Sequence, residues 1–257
     1  FKPPYRWAMD DSGEHLLGMC QRFGPYSFVV NTDKIDRASA EDQGWDLWND
    51  AANAGKYGIL ESDDWNVFNI CCIAGFDPFK THTDDEVTLF SETAKRGFGG
   101  ARLVGDIATN NQSLVSGETD FYMTGGTYSV SPARADGAKH LRGITPRKGP
   151  MAGGKGGISW IEVTSLVNNP DLSPLAPQFL EYVQQPETAH VVAFAEGTFN
   201  PVAQMANPDS FKLFTAEELD AIQWDSLEEE MAGSIEYDIV PDYDRLLDAL
   251  SSAKREA

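Results

Sequence analysis

A tryptophan and an acid stand two residues apart after a glycine-rich turn, in the segment GGISWIE at residues 156–162. On a β-strand, residues two apart point to the same face, so Trp160 and Glu162 would lie side by side. An aromatic face beside a carboxylate suits an organic ammonium ion, because the ring and the counter-charge both stabilise a cation. A core tryptophan beside a solvated glutamate would give the same pattern, and the segment alone leaves both interpretations open.

Other segments invite an enzyme interpretation but lack essential groups. Residues 149–156, GPMAGGKG, approach a phosphate-binding P-loop, yet Gly156 stands where a Ser or Thr must reach magnesium. The segment also leads into a predicted strand, whereas a P-loop must open a helix. Asp63 and Asp64 could form an acid–base pair, but the start of a helix uses acids as caps and dipole partners. We therefore predict that the chain is not an enzyme. The alternative hypothesis is an α/β enzyme whose catalytic residues are not recognisable in the sequence.

Cysteines and histidines do not form a recognisable metal or redox site. The three cysteines are too few for a disulfide framework, and the histidines are scattered without zinc-ligand spacing. We expect no cofactor and no metal. The residues concerned are Cys20, Cys71, Cys72, His15, His82, His140 and His190.

Composition narrows the choice of partners. The 257 residues are 41% hydrophobic and 23% charged, which is typical of a globular protein, and no apolar run is long enough to span a bilayer. Forty acidic against twenty basic residues give a formal net charge of −20, which repels phosphate backbones. Nucleic acid is therefore not an expected partner, and the acidity favours a cationic ligand weakly.

Hydrophobic patterns and capping signals alternate between strands and helices along the chain. This alternation predicts an α/β fold with a sheet at its centre. Predicted strands cover 28–31, 56–60 and 120–124, and predicted helices cover 63–72 after a Ser62 cap, 86–94, 173–185, 187–196, one opening at the Thr215 capping box, and 243–253.

Several segments, taken in order, resemble the periplasmic spermidine/putrescine-binding proteins of ABC transporters. Their order along the chain is more specific than any one of them. The segments are FGPYS at 23–27 with VN at 30–31, WDLW at 45–48, ILESDD at 59–64, GE at 117–118, GGISW at 156–160, and FL at 179–180 with PE at 186–187.

This resemblance implies a two-lobed type II periplasmic binding protein of the α/β class with hinge strands. Such a protein captures a small amine-bearing ligand, a polyamine or a related molecule, between its lobes and delivers it to an ABC transporter permease without catalysis. It implies a periplasmic location, with the signal peptide outside this chain, and we expect a monomer. Relative to the family, the first lobe is expected to lack its N-terminal part.

The resemblance also implies lobe boundaries. Residues 1–24 would be a remnant of lobe one and 25–159 would be lobe two. Residues 160–205 would return through the hinge to lobe one, and 206–257 would be C-terminal helices of lobe two.

Three residues match ligand-binding positions of the family. Asp64 matches an aspartate that pairs with a ligand amine, and Trp160 and Glu162 match its tryptophan and acid. Asp225, after Trp224, lies near a further polar ligand position.

Three other ligand positions depart from the family pattern. Asn66 stands near a family acid, and Thr124 and Thr198 stand near family aromatics. The site would therefore have one acid and some aromatic residues fewer than the family pattern. This difference leaves open a second kind of ligand, a zwitterionic amino acid such as 4-aminobutyrate or a related amide. A site for an anion or ferric ion would need paired tyrosines or basic residues, and no Tyr-Tyr pair occurs. A purely structural module fits the ordered segments least well.

Overall fold

The computed structural model describes residues 8–257, and a mixed seven-stranded β-sheet with flanking helices is the basis of its fold. The strands are β1 Met19–Asn31, β2 Tyr57–Leu60, β3 Leu103–Gly105, β4 Phe121–Gly125, β5 Leu141–Ile144, β6 Gly157–Thr164 and β7 Ser234–Glu236. The helices are α1 Arg37–Gln43, α2 Asp63–Ala74, α3 Asp84–Gly100, α4 Ile107–Ser116, α5 Thr127–Ala135, α6 Leu175–Val183, α7 Pro186–Ala193, α8 Pro208–Phe211, α9 Ala216–Ala221, α10 Leu227–Ala232 and α11 Tyr243–Glu256.

The sheet is organised around β1. Its order is β3-β2-β4-β1-β6-β7, and β5 also pairs with β1. The first part of β1 pairs antiparallel with β6, and the last part, from Ser27 on, pairs antiparallel with β4 and β5. A register shift between Ser27 and Phe28 lies where the partners change. The thirteen-residue β1 therefore belongs to both halves of the sheet.

Local sequence signals explain several element boundaries. Thr215 and Glu218 form a reciprocal capping box at the start of α9, as predicted. Ser62 occupies the N-cap of α2, but its side chain makes no capping hydrogen bond. Gly75 and Gly117 end α2 and α4 with left-handed backbone, which glycine adopts without steric cost. Residues 149–156 lead into β6, so the glycine-rich segment does not open a helix.

An aromatic core fixes the half of the sheet that carries β2 and β4. Phe28 on β1 packs edge-on against Trp45 and Trp48, with ring centroids 5.6 and 5.1 Å apart, and Phe121 on β4 packs against Trp48 at 5.0 Å. A second, smaller cluster joins α7, α8 and the residues after α9.

The three cysteines are buried and unpaired. Within residues 8–257, no helix combines the length and apolarity that crossing a bilayer requires.

Candidate functional site

Two neighbouring cavities share the side chains of Trp65 and Trp160 as walls. Trp65 is in the first turn of α2, and Trp160 is in the middle of β6. We call the smaller, of about 230 Å³, the aromatic cavity and the larger, of about 380 Å³, the glutamate cavity. Together they reach the size typical of small-molecule sites.

Four rings line the aromatic cavity. Tyr26 from β1 lies 4.3 Å from Trp65 and 6.3 Å from Tyr128 between ring centroids, and Tyr128 meets Trp160 edge-on at 5.9 Å. Tyr128 comes from the first turn of α5. Four elements, β1, α2, α5 and β6, therefore place their rings around one space, an arrangement that stabilises an organic cation or the methylene groups beside it.

Polar side chains complete the aromatic cavity. Arg22, Thr198 and Asn200 line it, and Asn200 Nδ2 donates to Thr198 Oγ1 at 3.2 Å. Asn200 is 2% exposed, and its Oδ1 has no hydrogen-bond donor among residues 8–257. A buried amide oxygen without a donor costs free energy, so a ligand that donates to it would be stabilised there.

The glutamate cavity contains Glu162, as the alternation along β6 predicts. Trp65, Trp160 and Tyr237 line it with Glu162, and the rings of Trp65 and Tyr237 are 5.3 Å apart. The Glu162 side chain is 42% exposed, so one face of its carboxylate remains available. Trp160 and Glu162 thus border the same cavity.

Arg22 on β1, which lines the aromatic cavity, forms an ion pair with Glu162 of the glutamate cavity. Its Nε and Nη2 donate to Glu162 Oε2 at 3.1 and 2.6 Å, and Nη2 also donates to Glu196 at 3.1 Å. Burial disfavours the guanidinium charge, but hydrogen bonds and attraction from Glu162 and Glu196 outweigh it and raise the pKa of Arg22. Arg22 therefore keeps its charge and is bound by two carboxylates.

Asp64 lies outside the lining of both cavities. It is exposed in the first turn of α2 and accepts a hydrogen bond from the Tyr243 hydroxyl. Its charge still reaches the site: burial, and then repulsion by Asp64, raise the pKa of Tyr237 in the glutamate cavity. Asp64 is thus close to the cavity without bordering it.

Asn66 and Thr124 form part of the core behind Tyr26. Both are fully buried. Thr124 Oγ1 donates to Asn66 Oδ1 at 2.6 Å, and Asn69 Nδ2 donates both to Thr124 Oγ1 at 2.6 Å and to the Tyr26 hydroxyl at 3.1 Å. These side chains position the ring of Tyr26 and line neither cavity.

The last two predicted site residues, Thr198 and Asp225, lie in different places. Thr198 borders the aromatic cavity. Asp225 is exposed, lies 3.5 Å from Arg142, and borders neither cavity. The structure therefore brings together Trp160, Glu162 and Thr198, and leaves Asp64, Asn66, Thr124 and Asp225 outside the cavity walls.

Sequence reasoning missed most of the aromatic residues. It expected fewer rings because Thr124 and Thr198 replace family aromatics, yet Trp65 and Tyr128 supply rings from nearby positions. Trp65 directly follows the predicted Asp64, which is a signal that could have found it. Arg22, Asn200 and Tyr237 had no local signal, because only the folded chain brings them together.

Comparisons with known proteins identify the fold. No family model and no curated protein sequence matches the chain. Among solved structures, the spermidine/putrescine ABC transporter substrate-binding protein PotD from Streptococcus pneumoniae matches with a TM-score of 0.67 and 11% identity, covering 98% of this chain and 74% of that one.

Two further structures agree. A putative spermidine/putrescine ABC transporter protein from Listeria monocytogenes gives a TM-score of 0.67 at 13% identity, covering 98% of this chain and 72% of that one. The Tp0655 (TpPotD) lipoprotein of Treponema pallidum gives 0.66 at 10% identity, covering 98% and 75%. The chain therefore has the two-lobed fold of periplasmic binding proteins, which confirms the predicted fold class and the structural resemblance.

Proposed function

We propose that this protein is an extracytoplasmic solute-binding protein that captures a small amine-bearing ligand and delivers it to an ABC transporter permease. The observation that carries the proposal is the pair of cavities walled by Trp65 and Trp160, with Glu162 bordering one of them. Aromatic faces and a carboxylate stabilise an ammonium group together, because the rings attract the cation where water is excluded. The excess of acidic residues would also attract such a ligand.

The structural neighbours support the transport role. They are substrate-binding proteins of ABC transporters, two of which are described by their names as spermidine/putrescine transport proteins. A ligand of the polyamine class is therefore the first choice, delivered in the periplasm by a monomeric protein. A role in binding rather than catalysis is proposed with it, because these neighbours are transport-associated binding proteins.

Strand pairing supports two of the lobe boundaries that we propose. The boundary at residues 24 and 25 falls within β1, and the boundary at 159 and 160 falls within β6. These two strands pair with each other along this stretch, Gly24 opposite Trp160 and Pro25 opposite Ser159. Crossing strands at that point would act as the hinge, and ligand contacts from both lobes would favour the closed state.

Isothermal titration calorimetry with putrescine and spermidine tests the function. We expect saturable binding with one ligand per chain and a stabilising thermal shift that grows with ligand concentration. Trp160→Ala should weaken binding about tenfold or more, the equivalent of about 1.4 kcal/mol lost from ring contacts. Phe179→Ala, at a 56% exposed ring on α6 away from both cavities, is the control and should bind like the parent. Absence of binding to every amine would refute the proposal.

A further inference from the structure

The Arg22–Glu162 ion pair divides the site into unlike halves. Arg22 borders the aromatic cavity, whereas Glu162 borders the glutamate cavity. Glu196, the second carboxylate bound by Arg22, borders neither. A ligand group in the aromatic cavity therefore meets a guanidinium first, and a group in the glutamate cavity meets a carboxylate first.

Arg22 retains hydrogen-bonding capacity towards a ligand. Its Nε and Nη2 hydrogens are bound by Glu162 and Glu196, and one Nη1 hydrogen is bound by the Ala195 carbonyl at 3.3 Å. Guanidinium carries a second hydrogen on Nη1. In the described part of the chain, that hydrogen has no acceptor within bonding distance.

Asn200 offers the complementary group in the same cavity. Its Oδ1 is a buried acceptor that no donor of residues 8–257 reaches. Donor and acceptor together match a hydroxyl or an amide, each of which both accepts and donates. An ammonium group could donate to Asn200, but it has no lone pair with which to accept from Arg22 Nη1, so that donor would stay unpaired in the closed cavity.

We propose that the ligand is a primary amine with an uncharged hydroxyl or amide at its other end, its ammonium in the glutamate cavity and its uncharged end in the aromatic cavity. Arg22 is then the specificity-determining residue that excludes a second ammonium group. This inference rests on the proposed function and narrows its ligand class. A carboxylate end would fit less well, because Glu162 and Glu196 already compensate Arg22.

Titration of the whole chain with three amines that share a four-carbon chain tests this assignment. The probes are putrescine, 4-amino-1-butanol and N-acetylputrescine. For the parent protein we expect the two uncharged-ended amines to bind at least tenfold more tightly than putrescine. Arg22→Gln should reduce that preference at least tenfold, whereas Arg22→Lys, which keeps a cation, should retain it.

A second variant guards against a general effect of changing Arg22 on folding. Asn200→Asp places a carboxylate in the aromatic cavity at almost unchanged volume, and should raise the affinity for putrescine relative to 4-amino-1-butanol. A parent protein that prefers putrescine, or variants that change all three affinities by one factor, would overturn the inference and leave the proposed function intact. Failure of all three probes and of spermidine to bind would overturn both.

Discussion

Thr124 Oγ1 donates a hydrogen bond to Asn66 Oδ1 at 2.6 Å in the core, and neither side chain lines the aromatic cavity or the glutamate cavity. Asn66 Nδ2 in turn donates to the Leu60 carbonyl at 3.0 Å, so the pair links α2, β4 and the end of β2. Two positions predicted to touch the ligand thus hold the framework that supports an aromatic wall.

Thr124→Ala should destabilise the fold by about 1–3 kcal/mol, because it leaves Asn66 Oδ1 buried without a donor. Thr124 also has a left-handed backbone, with φ 74°. Alanine has a Cβ as well, so the substitution removes little of the backbone strain at this position. Urea unfolding monitored by circular dichroism measures the loss. At ligand concentrations that saturate the parent, the folded variant should still bind, with its affinity changed less than by Trp160→Ala. A larger loss of affinity than of stability would place Thr124 in the site after all.

Glu162→Gln should weaken binding of an amine about tenfold, because a charge-assisted hydrogen bond to the ammonium becomes a neutral one. Asp64→Asn should change affinity by only about twofold, since solvent screens an exposed carboxylate outside the cavity walls. Calorimetric titration of both variants at one ionic strength makes the comparison. Equal losses would show that Asp64 turns into the cavity when ligand binds.

Glu230 on α10 should make stability depend on pH. It is 5% exposed, and burial outweighs hydrogen bonds from Ser226 and Gln223 and raises its pKa to about 7. The folded chain therefore keeps this proton up to about pH 7, whereas the unfolded chain releases it near the ordinary value of 4.5. Because the folded state binds more protons in that window, the contribution of Glu230 to stability falls as pH rises from about 4.5 to 7.

Glu230→Gln should remove that loss. The variant should gain stability relative to the parent between pH 5 and 8 by up to about 3 kcal/mol, the value of a shift of two to three pKa units. Urea unfolding of both proteins at several pH values gives the difference directly, and other carboxylates cancel in it. A constant difference across the range would contradict the raised pKa.

Gly143→Ala should destabilise the fold by about 2 kcal/mol or more, because a Cβ there would lie 2.5 Å from the Thr127 backbone nitrogen. The Gly143 backbone also exchanges two hydrogen bonds with the side chain of Gln223. Gly97→Ala is the matched control: its Cβ would meet only Ile70 at 3.7 Å within α3, so stability should rise by about 0.5–1 kcal/mol. Thermal unfolding of the two variants distinguishes a close backbone approach from glycine replacement in general.

Sequence patterns predicted those features that depend on neighbouring residues. The capping box at Thr215 and the alternation of Trp160 and Glu162 are local, and the structure contains both of them. The strand at 28–31 was predicted, but Met19 begins it nine residues earlier. Gly24 and Pro25 conceal that extension, because both residues ordinarily weaken strands.

The composition of the site could not be predicted in the same way. The rings come from α2, α5, β1, β6 and the residue after β7, so their meeting depends on how the whole sheet is ordered. The Arg22–Glu162 pair joins residues 140 positions apart. No periodicity reports contacts of that kind, and a family pattern does not show which neighbouring residue supplies a missing ring.

The change of partners along β1 has a mechanical consequence. Residues up to Tyr26 are held by β6, and residues from Ser27 on are held by β4 and β5, with a register shift between Ser27 and Phe28. A rotation of one set of partners against the other is therefore expected to be taken up as torsion of a single strand at that shift, next to the ring of Tyr26.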